Sequence, residues 1–109
     1  MRIATLAAAV AVIVCAMGLV AVERRKPKTH TVIIEGMRFQ PESLTVARGD
    51  TIVWVNKDLF PHTATSEAGR FDSQIIQAEK SWTFTAGKKG EFAYTCTFQP
   101  TMKAVLYVK

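Results

Sequence analysis

Residues 91–102 read EFAYTCTFQPTM, and this stretch decides the fold. Its first half alternates, so that Phe92, Tyr94 and Cys96 fall on one parity. Because successive side chains of a strand point to opposite faces, these three share the face turned to the core. The second half, from Cys96 to Met102, precedes a last apolar run at residues 105–108. The stretch therefore predicts a buried strand, a loop and a neighbouring strand.

Short strands broken by turn residues continue the pattern on the N-terminal side. The run at Thr51–Asn56 is apolar on both faces, as expected of a central strand that is covered on both sides. The predicted strands lie at residues 31–35, 43–47, 51–56, 63–66, 81–85, 91–96 and 105–108. We find no helical period and no internal repeat. This spacing predicts an all-β fold, a small Greek-key β-sandwich.

Large aromatic side chains have to supply much of the core, because a domain of about 80 residues buries little surface. Each aromatic ring buries a large apolar area. The predicted core aromatics are Phe39, Trp54, Phe71, Trp82, Phe84, Phe92 and Tyr94.

The N-terminus differs in composition from the rest of the chain. Residues 3–22 are apolar apart from Thr5, follow Met1-Arg2 and precede a basic stretch. We expect a signal peptide or membrane anchor at residues 1–22, a basic linker at 23–30 and one domain at 31–109. The sequence does not decide whether this segment is cleaved. Because positive charges usually stay on the cytoplasmic side of a membrane, the cations after the segment argue against an uncleaved anchor with an exported C-terminus. Lipidation at Cys15 is disfavoured because Val14 precedes it. The expected location is periplasmic or otherwise extracytoplasmic.

The formal charge of +5 arises largely from the N-terminal flank. From residue 30 onward, nine Lys and Arg face eight Asp and Glu. No basic stripe with interleaved aromatics is present in the sequence, so we expect no nucleic-acid partner. Contact with a membrane is expected only through an uncleaved N-terminal segment.

Cys96 is the single cysteine beyond the N-terminal segment, so no intramolecular disulfide can form there. An unpaired thiol in an oxidising compartment is buried, reactive or bound to metal. His62 and Met102 offer an imidazole and a thioether. A thiolate with imidazoles and a weak axial thioether is the ligand set of copper electron-transfer sites. Each residue alone fits ordinary packing, but the three together indicate a metal site.

The sequence resembles the plastocyanin and amicyanin branch of the cupredoxins from about Thr31 to Lys109. The motifs that carry the resemblance are residues 37–41 (MRFQP), 44–46 (LTV), 49–56 (GDTIVWVN), 60–63 (FPHT) and 94–96 (YTC). Cys96 and Met102 also have the six-residue spacing of the short, amicyanin-like ligand loop.

The resemblance implies one mononuclear copper ion held by His62, Cys96 and Met102. It places Gln99 where the family has a second histidine ligand, as a weak ligand or none. It implies that Asn56 braces the two ligand loops by hydrogen bonds, and that Phe98 and Pro100 form an apolar patch where electrons enter and leave. His30 should lie far from the loop.

The implied function is one-electron transfer by an extracytoplasmic, monomeric blue-copper (type 1) protein. Its partner would be a redox protein, and Gln99 would weaken the binding of copper. Two alternatives remain: a Cu(I)-binding protein that delivers copper to an acceptor, and a cupredoxin scaffold without working copper. An enzyme is not expected, because Cys96 and His62 have no orienting third group at recognisable spacing and no oxyanion loop.

Overall fold

The computed structural model describes residues 25–109; the predicted signal or anchor at residues 1–22 lies outside the described residues. Eight strands follow one another along the chain. They are β1 (Thr29–Ile34), β2 (Phe39–Gln40), β3 (Ser43–Val46), β4 (Thr51–Asn56), β5 (Thr65–Ser66), β6 (Ser81–Thr85), β7 (Gly90–Cys96) and β8 (Gln99–Val108). Within residues 25–109 no helix has the length and apolar character needed to cross a membrane.

The strands form two four-stranded sheets, one with the order β2-β1-β4-β6 and the other with the order β3-β8-β7-β5. β1 runs parallel to β4 and β3 runs parallel to β8, whereas the remaining neighbours are antiparallel. Parallel neighbours require a crossover connection, so the chain passes repeatedly between sheets. The prediction of an all-β sandwich is confirmed.

The strand ends define two poles of the sandwich. β1, β4 and β7 run toward one end, here the Cys96 pole, because Ile34 pairs with Asn56 and β7 ends at Cys96. At the other end, here the Lys109 pole, the 47–50 turn meets the end of β8 and the 86–90 turn. Arg48 N donates to Lys109 O at 2.9 Å, and Gly49 N donates to Ala86 O at 2.7 Å. At about 3.3 Å per residue, the ten-residue β8 separates the poles by roughly 30 Å.

Aromatic rings fill the space between the sheets. Trp54 is fully buried, and its indole Nε1 donates to the Tyr94 hydroxyl at 3.2 Å. Rings of Phe71, Trp82 and Tyr94 lie 5.3–5.7 Å from the Trp54 ring. Burial raises the pKa of Tyr94 to about 12, so its hydroxyl stays neutral and available as a partner.

All seven aromatics predicted for the core contribute to it. Phe39, Trp54, Phe71 and Tyr94 are buried, and the half-buried Trp82, Phe84 and Phe92 pack against them.

Some strand boundaries differ from the prediction. β1 begins at Thr29, so the predicted linker at residues 23–30 overlaps the strand by two residues. Pairing with β4 extends β1, and its polar first residues gave no apolar signal. β8 begins at Gln99 instead of residue 105, because pairing with β7 starts directly after a tight turn. The predicted strand at residues 63–66 is shorter, covering only Thr65–Ser66, and β2 was not predicted at all.

Candidate metal centre

His62 and Cys96 meet in the interior of the Cys96 pole. Cys96 is the last residue of β7 and is fully buried, and His62 is 1% exposed. His62 lies in the connection between β4 and β5, where it forms an isolated bridge with Ile76. His62 N donates to Ile76 O at 3.1 Å, and Ile76 N donates to His62 O at 2.7 Å. Two backbone hydrogen bonds therefore fix His62 to Ile76.

The two side chains face each other. Cys96 Sγ lies 3.6 Å from His62 Nδ1. A metal with bonds of about 2.0 Å to nitrogen and about 2.3 Å to sulfur, in a trigonal plane, would set its two donor atoms about 3.7 Å apart. Thr63 N also donates to Cys96 Sγ at 3.3 Å. The pair has the separation and the polarity of two metal ligands.

Asp58 sets the tautomer of His62. The Asp58 Oδ2 atom lies 2.8 Å from His62 Nε2 and also accepts from Met37 N at 3.0 Å, while Oδ1 accepts from Gly36 N at 2.8 Å. Burial acts to raise the pKa of Asp58, but the hydrogen bonds from Met37, Gly36 and His62 outweigh it and hold this pKa below its ordinary value. An ionised Asp58 accepts the Nε2 proton, which leaves the Nδ1 lone pair directed at the Cys96 side.

Sequence reasoning missed Asp58. A carboxylate four residues before a candidate ligand, in one loop, was the available signal. The contact depends on the loop turning back on itself beside residues 36 and 37, which the spacing alone does not indicate.

Asn56 has a narrower role than the resemblance implied. Its Nδ2 donates to Phe60 O at 2.8 Å and to Ile76 O at 2.9 Å, and its Oδ1 accepts from Asp58 N at 2.9 Å. These contacts brace the His62 loop against the 76–79 segment. Within residues 25–109, the side-chain hydrogen bonds found for Asn56 end at Phe60, Ile76 and Asp58 and do not reach the Cys96–Met102 stretch.

A pair of threonines joins the two ligand segments instead. Thr97 N donates to Thr63 Oγ1 at 2.9 Å, and the two hydroxyls lie 3.2 Å apart. Thr65 Oγ1 donates to Thr63 Oγ1 at 2.9 Å. Thr63 directly follows His62 and Thr97 directly follows Cys96, so this link fixes the approach of the two candidate ligands.

The stretch from Cys96 to Met102 is tighter than the predicted open loop. Thr97 and Phe98 form a turn, Cys96 pairs with Gln99, and Thr95 pairs with Lys103. The three residues between Gln99 and Lys103 have no partner in the β7 register and bulge from the sheet. Met102 ends this bulge and is buried, whereas Gln99 is exposed. Met102 thus lies in the interior at the end of the bulge, and Gln99 lies at the rim.

An apolar rim surrounds the site at the surface. Leu59 is 86% exposed, Phe60 is 63% exposed and Phe98 is 53% exposed. Pro100 is exposed as well. A groove of about 270 Å³ lies at this rim, lined by Met37, Phe60, Pro61, His62, Phe98 and Gln99. Gln99 and His62 therefore line the same groove.

His30 lies at the other pole, as expected. Its Nε2 contacts Asp50 Oδ2 at 2.9 Å, and its backbone pairs with Ile52 near the start of β4. It has no part in the site at the Cys96 pole.

The donors at the Cys96 pole form a soft set. Among residues 25–109 no three His, Cys, Asp or Glu side chains converge on one point, so a metal here must use other donors as well. The available donors are the imidazole of His62, the sulfur of Cys96, the thioether of Met102 and the amide of Gln99. Thiolate, thioether and imidazole together suit copper, and Cu(I) in particular. The residues present fit a copper ion.

Known proteins share this sequence pattern. The Cupredoxin-like domain model matches residues 5–108. Amicyanin of Paracoccus versutus is 26% identical over 81 residues, which cover 70% of this chain and 61% of that protein. Amicyanin of Paracoccus denitrificans is 28% identical over 83 residues, which cover 72% of this chain and 63% of that protein. The match spans less than two thirds of the length of either relative.

Solved structures share the fold. The Cu(I) form of an amicyanin variant matches with a TM-score of 0.71 at 27% identity, covering 74% of this chain and 82% of that one. A copper-containing nitrite reductase from Thermus scotoductus SA-01 matches with a TM-score of 0.71 at 26% identity, covering 83% of this chain and 24% of that one. Because the family model covers nearly the whole sequence, this chain belongs to the cupredoxin-like domain family.

Proposed function

We propose that this protein is a mononuclear type 1 copper protein that transfers single electrons in an extracytoplasmic compartment. The observation that carries the proposal is the facing pair at the Cys96 pole, with Sγ 3.6 Å from His62 Nδ1 and Nε2 bound to Asp58. Copper bound here would supply the Cu(I)/Cu(II) couple. An inert buried thiol would need neither a fixed imidazole tautomer nor a backbone donor aimed at its sulfur.

His62, Cys96 and Met102 are the proposed ligands. Asp58 accepts a hydrogen bond from His62 Nε2–H, so the imidazole keeps one orientation and its Nδ1 lone pair is available to a metal. The hydrogen bond from Thr63 N holds Cys96 Sγ in place. The hydrogen bonds between Thr63 and Thr97 resist separation of the two ligands when the charge of the metal changes. A rigid donor set keeps rearrangement small, and small rearrangement is what fast electron transfer requires.

Gln99 is the proposed weak point of the site. A neutral amide oxygen is a harder and poorer donor to copper than an imidazole. Because Gln99 is exposed at the rim, water competes with it for the same coordination position. We therefore expect weaker copper binding than in a site with two imidazoles, and a preference for Cu(I), which tolerates two or three soft ligands.

The apolar rim is the proposed surface for a redox partner. Leu59, Phe60 and Phe98 are large and exposed, and Pro100 extends the patch beyond Gln99. Clustered exposed apolar residues mark interaction sites on soluble domains. Electrons would cross at this rim, with Gln99 in the position of the histidine that the family uses. The proposal also includes that the protein acts as a monomer and that residues 1–22 direct its export.

Copper titration tests the proposal. The purified protein is titrated anaerobically with Cu(I) and then oxidised, beside a Gln99→His variant. We expect one copper per chain in both, with tighter binding and an intense blue thiolate band in the variant. A matched Gln40→His variant, which adds an imidazole on β2 away from the groove, should behave like the parent. Absence of stoichiometric copper binding in both the parent and Gln99→His would refute the metal site.

Copper delivery is a second candidate, favoured by the exposed Gln99 in an open groove beside His62. An open coordination position lets an acceptor's donor enter and take Cu(I) by ligand exchange. Rapid transfer of Cu(I) to a chelating acceptor protein, without reversible redox cycling on an electrode, would support delivery over electron transfer. Absence of copper from the protein isolated from its native compartment would favour a scaffold role.

A further inference from the structure

Basic side chains gather at the Lys109 pole although they are scattered along the sequence. They come from the segment before β1, the 47–50 turn, the 86–90 turn and the end of β8. The exposed basic residues of this pole are Arg25, Lys26, Lys28, Arg48, Lys88, Lys89 and Lys109. The topology alone brings these segments together, as the backbone hydrogen bonds from Arg48 to Lys109 and from Gly49 to Ala86 show.

Little negative charge offsets this cluster. Asp50 and Glu91 are the acids of the pole, and Asp50 is 1% exposed. Asp50 binds the Arg25 side chain, Lys28 N and His30 Nε2. Within residues 25–109, the contacts found at this pole between a basic side chain and a carboxylate are those of Arg25 and His30 with Asp50. The remaining cations project into solvent.

The Cys96 pole has a different balance. Arg38 lies 3.6 Å from Glu42, and Lys57 lies 4.0 Å from Glu79. Basic and acidic side chains there are interspersed and near each other. The described domain is therefore electrically polarised, with its excess positive charge at the end away from the candidate copper site.

The chain also enters the domain at the Lys109 pole. Arg25, the first described residue, is attached there through Asp50. The apolar sequence ends at Val22. Three residue steps from Val22 to Arg25 reach at most about 11 Å. A membrane that held residues 3–22 would therefore lie against the basic pole, within range of its charges.

We propose that the Lys109 pole docks on an anionic phospholipid surface. Clustered Lys and Arg next to an apolar segment are attracted to such a surface over about one Debye length. Docking would direct the Cys96 pole about 30 Å outward, where soluble partners can reach the apolar rim. Continuity with the apolar sequence favours a lipid surface over a nucleic acid or an acidic protein. The proposal does not require copper to be bound.

Lysine footprinting on vesicles tests this orientation. The full chain is added to phosphatidylcholine vesicles with and without about 30 mol% phosphatidylglycerol, and the vesicle-bound fraction is briefly acetylated. Mass spectrometry then compares Lys28, Lys88 and Lys89 with Lys57 and Lys103 in the same molecules. We expect several-fold greater protection of the first group on anionic than on neutral vesicles, and we expect about 0.5 M salt to remove this difference. Equal labelling of both groups, or equal protection on neutral vesicles, would overturn the proposal.

Charge reversal supplies the matched variants. Lys88→Glu with Lys89→Glu alters an exposed turn far from the Cys96 pole, and each removed cation should weaken association about five-fold. Protection of Lys28 should then fall toward the level on neutral vesicles, with the circular dichroism spectrum unchanged. Lys57→Glu with Lys103→Glu changes the same charge at the Cys96 pole and should leave protection intact. Comparable protection by duplex DNA without vesicles, at about 0.15 M salt, would instead reassign the pole to nucleic acid.

Discussion

Asp58→Asn is the sharpest test of how the site is built. Asp58 Oδ1 accepts from Gly36 N, and Oδ2 accepts from Met37 N and lies 2.8 Å from His62 Nε2. An asparagine amide has one oxygen and one NH2 group. Whichever way it is placed, the NH2 group faces at least one N–H donor. The change therefore either releases the His62 ring or leaves a backbone donor of the 36–37 turn without its acceptor.

The expected magnitude follows from that contact. Loss of an outer partner to a metal-bound histidine typically costs about 10–100-fold in metal affinity. This range corresponds to about 1.4–2.7 kcal/mol. We also expect the free energy of unfolding to fall by about 0.5–1.5 kcal/mol, because one hydrogen bond to the Asp58 carboxylate is lost while the Gly36 and Met37 donors remain open to water.

Two measurements check the reasoning. Competition with a Cu(I) chelator gives the affinity, and nitrogen NMR of the metal-free protein gives the tautomer of His62, which should be Nε2–H in the parent and mixed in the variant. Glu79→Gln is the matched control, since it removes one negative charge at the same pole from a side chain that is 68% exposed. An Asp58→Asn protein with parental affinity, a single Nε2–H tautomer and parental stability would refute the reasoning, because both placements of the amide would then be without effect.

Two further predictions concern stability. Tyr94→Phe should lower the free energy of unfolding by about 1–3 kcal/mol, because the buried Trp54 Nε1–H loses its acceptor. In a urea titration the exposed Tyr107→Phe control should change by less than about 0.5 kcal/mol, and a similar loss in both variants would contradict this role. Asp50 has a pKa well below its ordinary value of 3.8, chiefly through the hydrogen bond from Lys28 N. The ionised Asp50 carboxylate therefore contributes its full stabilisation above pH 3.8, and this contribution is lost as the pH falls below 3.8. The unfolding free energies of the parent and Asp50→Asn should accordingly converge in acid. A difference between them that does not change with pH would contradict this account.

Residues with a local signal were predictable from the sequence. A continuous apolar run identified the strand at Thr51–Asn56. Period-two alternation identified the inward face of Phe92, Tyr94 and Cys96, because every second residue of a strand lies on its buried face. The spacing of Cys96 and Met102 identified a possible ligand segment. Both patterns lie within a few residues of chain, so no knowledge of tertiary contacts was needed.

Features that depend on distant segments were not predictable. The contact of Asp58 with Gly36 and Met37, and the bond from Thr97 to Thr63, join residues more than twenty positions apart. The charge balance beyond residue 30 concealed the basic Lys109 pole, because only the strand topology gathers its residues. The early start of β8 was hidden for a related reason: exposed residues such as Gln99 carry no apolar pattern.

The parallel pairing of β1 with β4 also bears on how the domain responds to force. Six consecutive residues of β1 pair in register with β4, and the chain enters at the Lys109 end of this strand. Tension applied at the N-terminus while a partner holds the Cys96 pole would act along β1, so its hydrogen bonds would share the load in shear instead of opening one after another. A slip of one residue would turn the buried Val32 and Ile34 out of the core. β1 should therefore resist tension that is applied along its length from the N-terminus.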